Sequence, residues 1–219
     1  MTKSLFSHPL YSFFWLAALG VALTLQVSDA FAQTNKTASK LSAPELLYLQ
    51  KVVREPLTAL MQERGPRTPK NNPSMPHLSN PLARVVTALL DGQIVARAWE
   101  LRTPEPLLQG AMTLGAKVLT NPDTGRILTA EELPRAKLGI AVLQALTEVK
   151  SDLEIRQGDA VIILNGFTFG VGLPSDLKPD YKISDLLTQA CVASGLRPGV
   201  WRINDRTTIF SAIVDEALE

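Results

Sequence analysis

Arg97, Trp99 and Glu100 are the residues of this chain whose types and spacing best suit a ligand-binding site. They lie on or at the end of a predicted strand, where alternation places Arg97 and Trp99 on one face and Glu100 on the other. A guanidinium beside an indole can stack against a ligand or pair with an anion. The competing interpretation is that Trp99 packs in the core and Arg97 covers it, and the sequence leaves both open.

The residue types that most often carry catalysis are sparse. His77 is expected in solvent, within a proline-rich segment that is a poor place for a histidine-based triad. Cys191, the only cysteine, lies among apolar residues of a predicted helix and is predicted to be buried. After residue 32 the chain has one histidine and one cysteine, and two such residues far apart argue against a zinc site. We therefore predict no catalytic residue, metal site or cofactor.

Two pairs of carboxylates invite an acid–base interpretation. Glu131 and Glu132 follow Thr129 and suit the first turn of a short helical segment, where the helix dipole favours negative charge. Asp152 and Glu154 lie in a polar connection, which indicates a solvated surface. Neither pair is predicted to be catalytic.

The first half of the chain contains clear helix and hairpin signals. Ser42 and Glu45 form a capping box that begins a helix over residues 42–64, with Pro56 expected to kink it. The proline-rich segment 65–81 is expected to be an exposed loop, whose length hints at a lid or an insertion. Asp91-Gly92 separates two strand-like runs, which predicts a β-hairpin.

The second half continues the mixture of helices and antiparallel strands. A helix is predicted to open at Thr103-Pro104-Glu105, and a second hairpin at Asn165-Gly166. The later glycines, Gly170 and Gly172, lack the spacing of a nucleotide-binding loop and are predicted to be strand glycines. The other predicted elements are the strand 138–149, the helix 181–194 and the strand 207–214. This order predicts an α+β fold with a largely antiparallel sheet.

Residues 1–32 have the three parts of a secretory signal peptide. Lys3 supplies the positive start, residues 13–23 the apolar core, and Ala30-Phe31-Ala32 the small residues of a cleavage site. We expect cleavage after Ala32, export to the periplasm or medium, and no membrane association afterwards. The alternative is a retained anchor, but the apolar core is shorter than a spanning helix requires.

The remaining chain is long enough for one domain with its own core. Residues 33–41 are predicted to form a flexible leader, and residues 42–216 a single domain. The net charge is +1, with basic and acidic residues interspersed. A chain without a basic field is not expected to bind nucleic acid.

The order of these elements resembles the AMMECR domain family over about residues 42–216. The Asp91-Gly92 hairpin is followed by a helix opening, by a turn and by a strand that are similar to that family's. The late hairpin and the segment after the penultimate helix resemble it too. The segments that carry the resemblance are 102–107, 128–134, 138–143, 158–163, 170–174 and 194–201.

One departure concerns the family's signature. A Leu-Arg-Gly-Cys-Ile-Gly run follows the first hairpin turn in that family, whereas this chain has Ile94-Val95-Ala96-Arg97-Ala98-Trp99-Glu100. The glycines that allow close approach to the backbone are gone, so the resemblance implies that any activity tied to the signature is lost or altered. It also implies a Memo-like or radical-SAM protein as a candidate partner, and other exported proteins are candidates as well.

Two functions of different classes remain open from the sequence. The first is an exported module that binds a ligand or a partner, with Arg97, Trp99 and Glu100 as the candidate site. The second is an enzyme for a small substrate in a cleft near residues 95–100. A cleft that holds Arg97 beside an acid would favour the enzyme, and a flat or filled surface would favour the module.

Overall fold

The computed structural model describes residues 40–202 and 206–219. The expected signal peptide, its cleavage site and residues 33–39 of the leader lie outside the described residues. At the end of the predicted leader, Leu41 is buried and its amide donates to the Asp215 carboxylate over 2.9 Å. The leader's last residue is therefore fixed to the domain.

The described residues form three helices and six strands, which confirms the α+β fold. Within them, no helix has the length and apolar character needed to cross a bilayer. The elements are α1 (Ala43–Met61), β1 (Ala83–Leu90), β2 (Gln93–Glu100), α2 (Leu107–Thr120), β3 (Ala136–Val149), β4 (Ala160–Asn165), β5 (Thr168–Gly172), α3 (Ile183–Ala193) and β6 (Thr207–Ala217).

The six strands make one antiparallel, curled sheet in the order β2-β1-β3-β6-β4-β5. Side chains alternate between its faces. On one face, α1 and α2 cover β1 to β3, and α3 covers β4 and β5. The other face encloses an inner cluster built without any helix, from residues such as Val85, Ile162 and Phe210. Since β2 and β5 both contribute to this cluster, the curl brings the two edge strands close together.

Both predicted hairpins form, with different turns. Asp91 and Gly92 have φ angles of 53° and 80° between the paired residues Leu90 and Gln93. Positive φ at both positions is the type I′ geometry that Asp-Gly favours. In the second hairpin Asn165 is itself paired with the strand opposite, so the turn consists of Gly166 and Phe167, one residue later than expected.

The helix predicted to open at Thr103 begins instead at Leu107, after Pro106 as its N-cap. The Thr103 hydroxyl accepts the amide of Glu105 over 3.0 Å, and this local turn replaces the first helical turn. The carbonyl oxygens of Glu105 and Pro106 both accept hydrogen bonds from Arg84, each over 3.2 Å.

The proline-rich segment lacks long regular elements but is not a detached loop. It contains a short 3-10 turn at Pro76–Ser79, in which Leu78 is buried. His77, expected to be solvent-exposed, is partly buried, with 27% of its side chain exposed. Its ring Nδ1 lies 2.9 Å from a carboxylate oxygen of the buried Glu45 in α1. This pair ties the segment to the helix.

Candidate functional site

The three candidate residues on β2 divide between the two faces of the sheet, as alternation predicts. Arg97 pairs with Thr87 and Trp99 with Val85, both residues of β1. Trp99 is partly buried and packs against the inner cluster. Glu100 points to the opposite face. The three residues therefore do not form one constellation.

Arg97 links the two edges of the curled sheet. Its Nη1 donates to Asp176 Oδ2 over 2.8 Å and its Nη2 to Oδ1, while its Nε donates to the Thr87 hydroxyl over 3.0 Å. Asp176 lies in a short turn directly after β5. The side chains of Arg97 and Asp176 are 8% and 4% exposed, so this is a buried, two-pronged ion pair. Arg97 therefore bonds to Thr87 and Asp176 and does not merely cover Trp99.

Glu100 forms an ion pair with a different buried arginine, Arg84. Arg84 is fully buried on the helix-covered face, and its Nε donates to the Glu100 carboxylate over 3.0 Å. Its guanidinium fills the space beside Gly110 of α2, where a Cβ would lie 1.7 Å from Arg84 Nη2. Glu100 thus compensates a charge beneath α2.

A cleft of about 770 Å³ opens between β2, the turn that follows α2, and α3. The β2 wall contributes Ile94, Arg97 and Trp99, and the turn contributes Asp123 and Gly125. The α3 wall contributes the polar and apolar residues Asp185, Thr188, Gln189, Val192 and Ala193. This volume lies within the range of pockets that hold small organic ligands.

The backbone fixes the turn against the β2 edge. The Arg126 amide donates to the Val95 carbonyl over 2.9 Å, and Ala96 forms an isolated antiparallel bridge with Gly125. A Cβ at Gly125 would lie 2.4 Å from the Val95 carbonyl oxygen. Only glycine permits this close approach, and the hydrogen bond and the bridge hold the turn beside the strand.

The opposite wall is fixed by close packing of α3 on β5. A Cβ at Gly170 would lie 2.0 Å from the Ala190 carbonyl oxygen, and one at Gly172 would lie 2.7 Å from that of Leu186. These residues are strand glycines, as the sequence predicts. Cys191, on the same helix, is buried as expected, and its burial raises the pKa of its thiol. It has the environment of a core residue.

The formal charges on the cleft walls are one arginine and two carboxylates. Arg97 is already matched by Asp176. Asp123 is exposed in its turn. Asp185 is exposed on the first turn of α3, where its Oδ2 accepts the Lys182 amide over 3.1 Å. With Arg97 matched by Asp176, the residues that line the cleft carry a net negative charge.

A further carboxyl group, that of Glu216, lies near the Arg97–Asp176 pair. Burial, chiefly, raises the pKa of Glu216 on β6, and the nearby Asp176 carboxylate acts in the same direction. A hydrogen bond with Ser175 and the charge of Arg97 oppose this rise. Sequence reasoning missed Asp176, Asp185 and Glu216, because acids at strand ends and helix starts are common and only the curl of the sheet reveals their neighbours.

The remaining acidic candidates lie outside the cleft. The Glu132 carboxylate accepts the Thr129 amide over 3.0 Å and a hydrogen bond from Arg126 over 2.7 Å. The bond from Arg126, followed by that from Thr129, lowers the pKa of Glu132 to about 2. Asp152 and Glu154 form part of a short 3-10 turn. In the described residues no three of the histidine, cysteine and acidic side chains are grouped to hold a metal ion.

Fold and cleft together define an α+β protein with one curled antiparallel sheet and a cleft beside its edge strand β2. The crystal structure of an uncharacterized protein from Pyrococcus horikoshii has the same fold, with a TM-score of 0.68 and 17% sequence identity. The match covers 83% of this chain and 94% of that protein. No protein-family model matches the sequence, and no curated protein matches it.

Proposed function

We propose that the chain is an AMMECR-like domain that binds a small ligand or a partner in the cleft beside β2. The order of motifs along residues 42–216 supports the resemblance, and the position of that family's signature falls on β2, which forms one wall of the cleft. The family resemblance and the cleft therefore both point to β2 as the binding surface.

The observation that carries the proposal is the construction of the cleft. Its volume of about 770 Å³ suits a small organic ligand. Glycine-dependent contacts hold both walls, at Gly125 on one side and Gly170 on the other. A cleft between fixed walls loses little conformational entropy when a ligand binds.

The cellular setting is part of the same proposal. The signal peptide at residues 1–32 supports export, with cleavage after Ala32. A Memo-like or other exported protein is the partner that the family resemblance suggests, and a radical-SAM partner is the other association known for that family.

An enzyme that uses the same cleft is the second candidate. A cleft that holds Arg97 beside an acid is the arrangement expected to favour an enzyme, and Arg97 lies beside Asp176 at this cleft. The raised pKa of the neighbouring Glu216 supports the same candidate. Carboxyl groups with shifted pKa values often mark sites of proton transfer. Arg97, however, directs three N–H groups to Asp176 and Thr87, so the binding module is the better-supported function.

The test is a thermal-shift screen of the purified protein against metabolites, nucleotides and metal ions. A ligand at one hundred times its Kd stabilises a protein by about 2.7 kcal/mol. For a domain of this size that corresponds to roughly 5–10 °C in Tm. The ligand should lose its effect in Ala193→Trp, which places an indole in the cleft, and keep it in Ala43→Trp, a control at an exposed position of α1.

Stabilisation that survives Ala193→Trp would place the ligand elsewhere and contradict the proposal. The proposal is also contradicted if no metabolite stabilises the protein and Ala193→Trp does not weaken the binding of any exported partner. Chemical conversion of the bound ligand that is lost in Glu216→Gln, while binding is retained, would favour the enzyme.

A further inference from the structure

The charges of the cleft walls discriminate among ligands. Arg97 is the single basic residue among the described residues of the cleft walls, and both of its Nη atoms already donate to Asp176. Since the charge of Arg97 is already matched by Asp176, Arg97 attracts a carboxylate or phosphate ligand only weakly. An anion that drew Arg97 away from Asp176 would also break a buried ion pair, which strongly destabilises a protein. The cleft is therefore poorly suited to anions.

Two carboxylates line the cleft from separate elements. Asp123 belongs to the turn after α2, and Asp185 to the first turn of α3. Arg126, which follows Gly125 in the chain, is paired with Glu132, and neither residue lines the cleft. Carboxylates on the low-dielectric walls of a cleft concentrate cations there.

The cleft walls also carry exposed apolar side chains. Ile94 on β2 and Val192 on α3 are 41% and 58% exposed, although both are large hydrophobic residues. They lie on opposite walls, and Trp99 adds an indole on the β2 side. An apolar body can be desolvated between these side chains, and a cation can also be attracted by the indole.

From these observations, and resting on the proposed function of the cleft, we infer that its ligand is an organic cation. The charged group is an amine or a guanidinium attached to an apolar body. The apolar body lies between Ile94 and Val192, and the cationic group is placed by Asp123 and Asp185. Trp99 and the two carboxylates determine specificity, whereas Arg97 does not contact the ligand.

The experiment compares three probes of similar shape and different charge on the full exported protein. They are 2-phenylethylamine, 2-phenylethanol and 3-phenylpropionate, and their Kd values are measured by NMR titration at the signals of Ile94 and Val192. We expect the amine to bind about tenfold more tightly than the carboxylate at low salt. The difference should shrink at high ionic strength because the carboxylates are exposed.

The double variant Asp123→Asn/Asp185→Asn should abolish this preference while leaving the binding of the neutral probe unchanged. The amide oxygen introduced at position 185 is still able to accept the Lys182 amide, so α3 is expected to keep its start. The control Glu131→Gln removes an exposed carboxylate that is not part of the cleft walls and should keep the preference. This pattern would support the inference.

Equal binding of all three probes, or tighter binding of the carboxylate, would overturn the cationic ligand and leave the cleft as a binding site. Absence of binding by every probe would overturn the inference as well. The proposed function itself would fall only if the metabolite and partner screens with Ala193→Trp also showed nothing at the cleft. The two failures are therefore distinguishable.

Discussion

The ion pair between Arg97 and Asp176 should make a large contribution to the stability of this domain. It joins β2 to the turn after β5, the two edges of the curled sheet, and both side chains are less than one-tenth exposed. Removing one partner of a buried ion pair costs about 3–5 kcal/mol, because the other charge stays buried without compensation. Both Arg97→Met and Asp176→Asn should therefore destabilise the protein by about this amount.

The double variant tests whether the two losses have one cause. Arg97→Met/Asp176→Asn removes both charges, and the amide oxygen at position 176 is still able to accept the Leu173 amide that now bonds to the carboxylate over 3.2 Å. Its loss of stability should be smaller than the sum of the single losses. A coupling energy of about 1–3 kcal/mol is the expected range for charged residues in contact.

The assay is urea denaturation followed by circular dichroism, with the free energy of unfolding obtained by linear extrapolation. Arg135→Met is the matched control, because Arg135 pairs with Asp91 on the surface and the two side chains are 56% and 61% exposed. An exposed pair contributes less than about 1 kcal/mol. If Arg97→Met costs no more than Arg135→Met, or if the losses at Arg97 and Asp176 add fully, the proposed link between the sheet edges is refuted.

Three further outcomes follow from single residues. Burial raises the pKa of Glu216, so its contribution to stability is complete below the unfolded carboxyl pKa of about 4.3 and is lost as pH rises through the folded value. The Glu216→Gln variant should therefore be more stable than wild type at neutral pH, and the urea midpoint measured against pH checks this. Burial acts to raise the pKa of Glu45, but hydrogen bonds from the Ser42 amide and hydroxyl and from His77 outweigh it and lower the pKa. The contribution of Glu45 to stability is therefore present above about pH 4.3 and is lost as pH falls through the folded value. In the plot of urea midpoint against pH, Glu45→Gln should reduce the loss of stability at acid pH. Gly170→Ala forces a Cβ against the α3 backbone and should lower the free energy of unfolding by about 1–3 kcal/mol, measured by urea denaturation. The control Gly65→Ala has no atom within 4 Å of the added Cβ and should be neutral or slightly stabilising.

Local signals explain why much of the fold could be predicted from the sequence. The capping box of Ser42 and Glu45 defines the start of α1, and Asp91-Gly92 defines the first hairpin, because each feature depends on residues within a few positions. The late start of α2 could not be predicted in the same way. Arg84, more than twenty positions before Pro106 and buried only in the folded sheet, holds the carbonyl oxygens of the preceding turn.

In the candidate site, too, the sequence predicts local features but not contacts between residues that are distant in the chain. Alternation correctly separated Arg97 and Trp99 from Glu100, since it needs only the strand period. The partner of Arg97 lies 79 positions away and meets it because the sheet curls. The contact of His77 with Glu45 was not predicted, for a related reason. A proline-rich composition indicates the absence of regular structure, but it does not report a contact with Glu45, which is 32 positions away.

The position of Arg97 determines how a binding measurement on this protein must be interpreted. An Arg97→Ala variant would remove a bond between the sheet edges, so a ligand signal could disappear because the cleft walls move, even if the ligand never contacts the guanidinium. A direct contact predicts that binding is lost while the free energy of unfolding is unchanged, and the buried geometry excludes that combination for Arg97. Asp123 and Asp185 are exposed on the walls, so their neutral variants can change affinity with little change in stability. Loss of binding in these two variants at constant stability is therefore the result that assigns the ligand to the cleft.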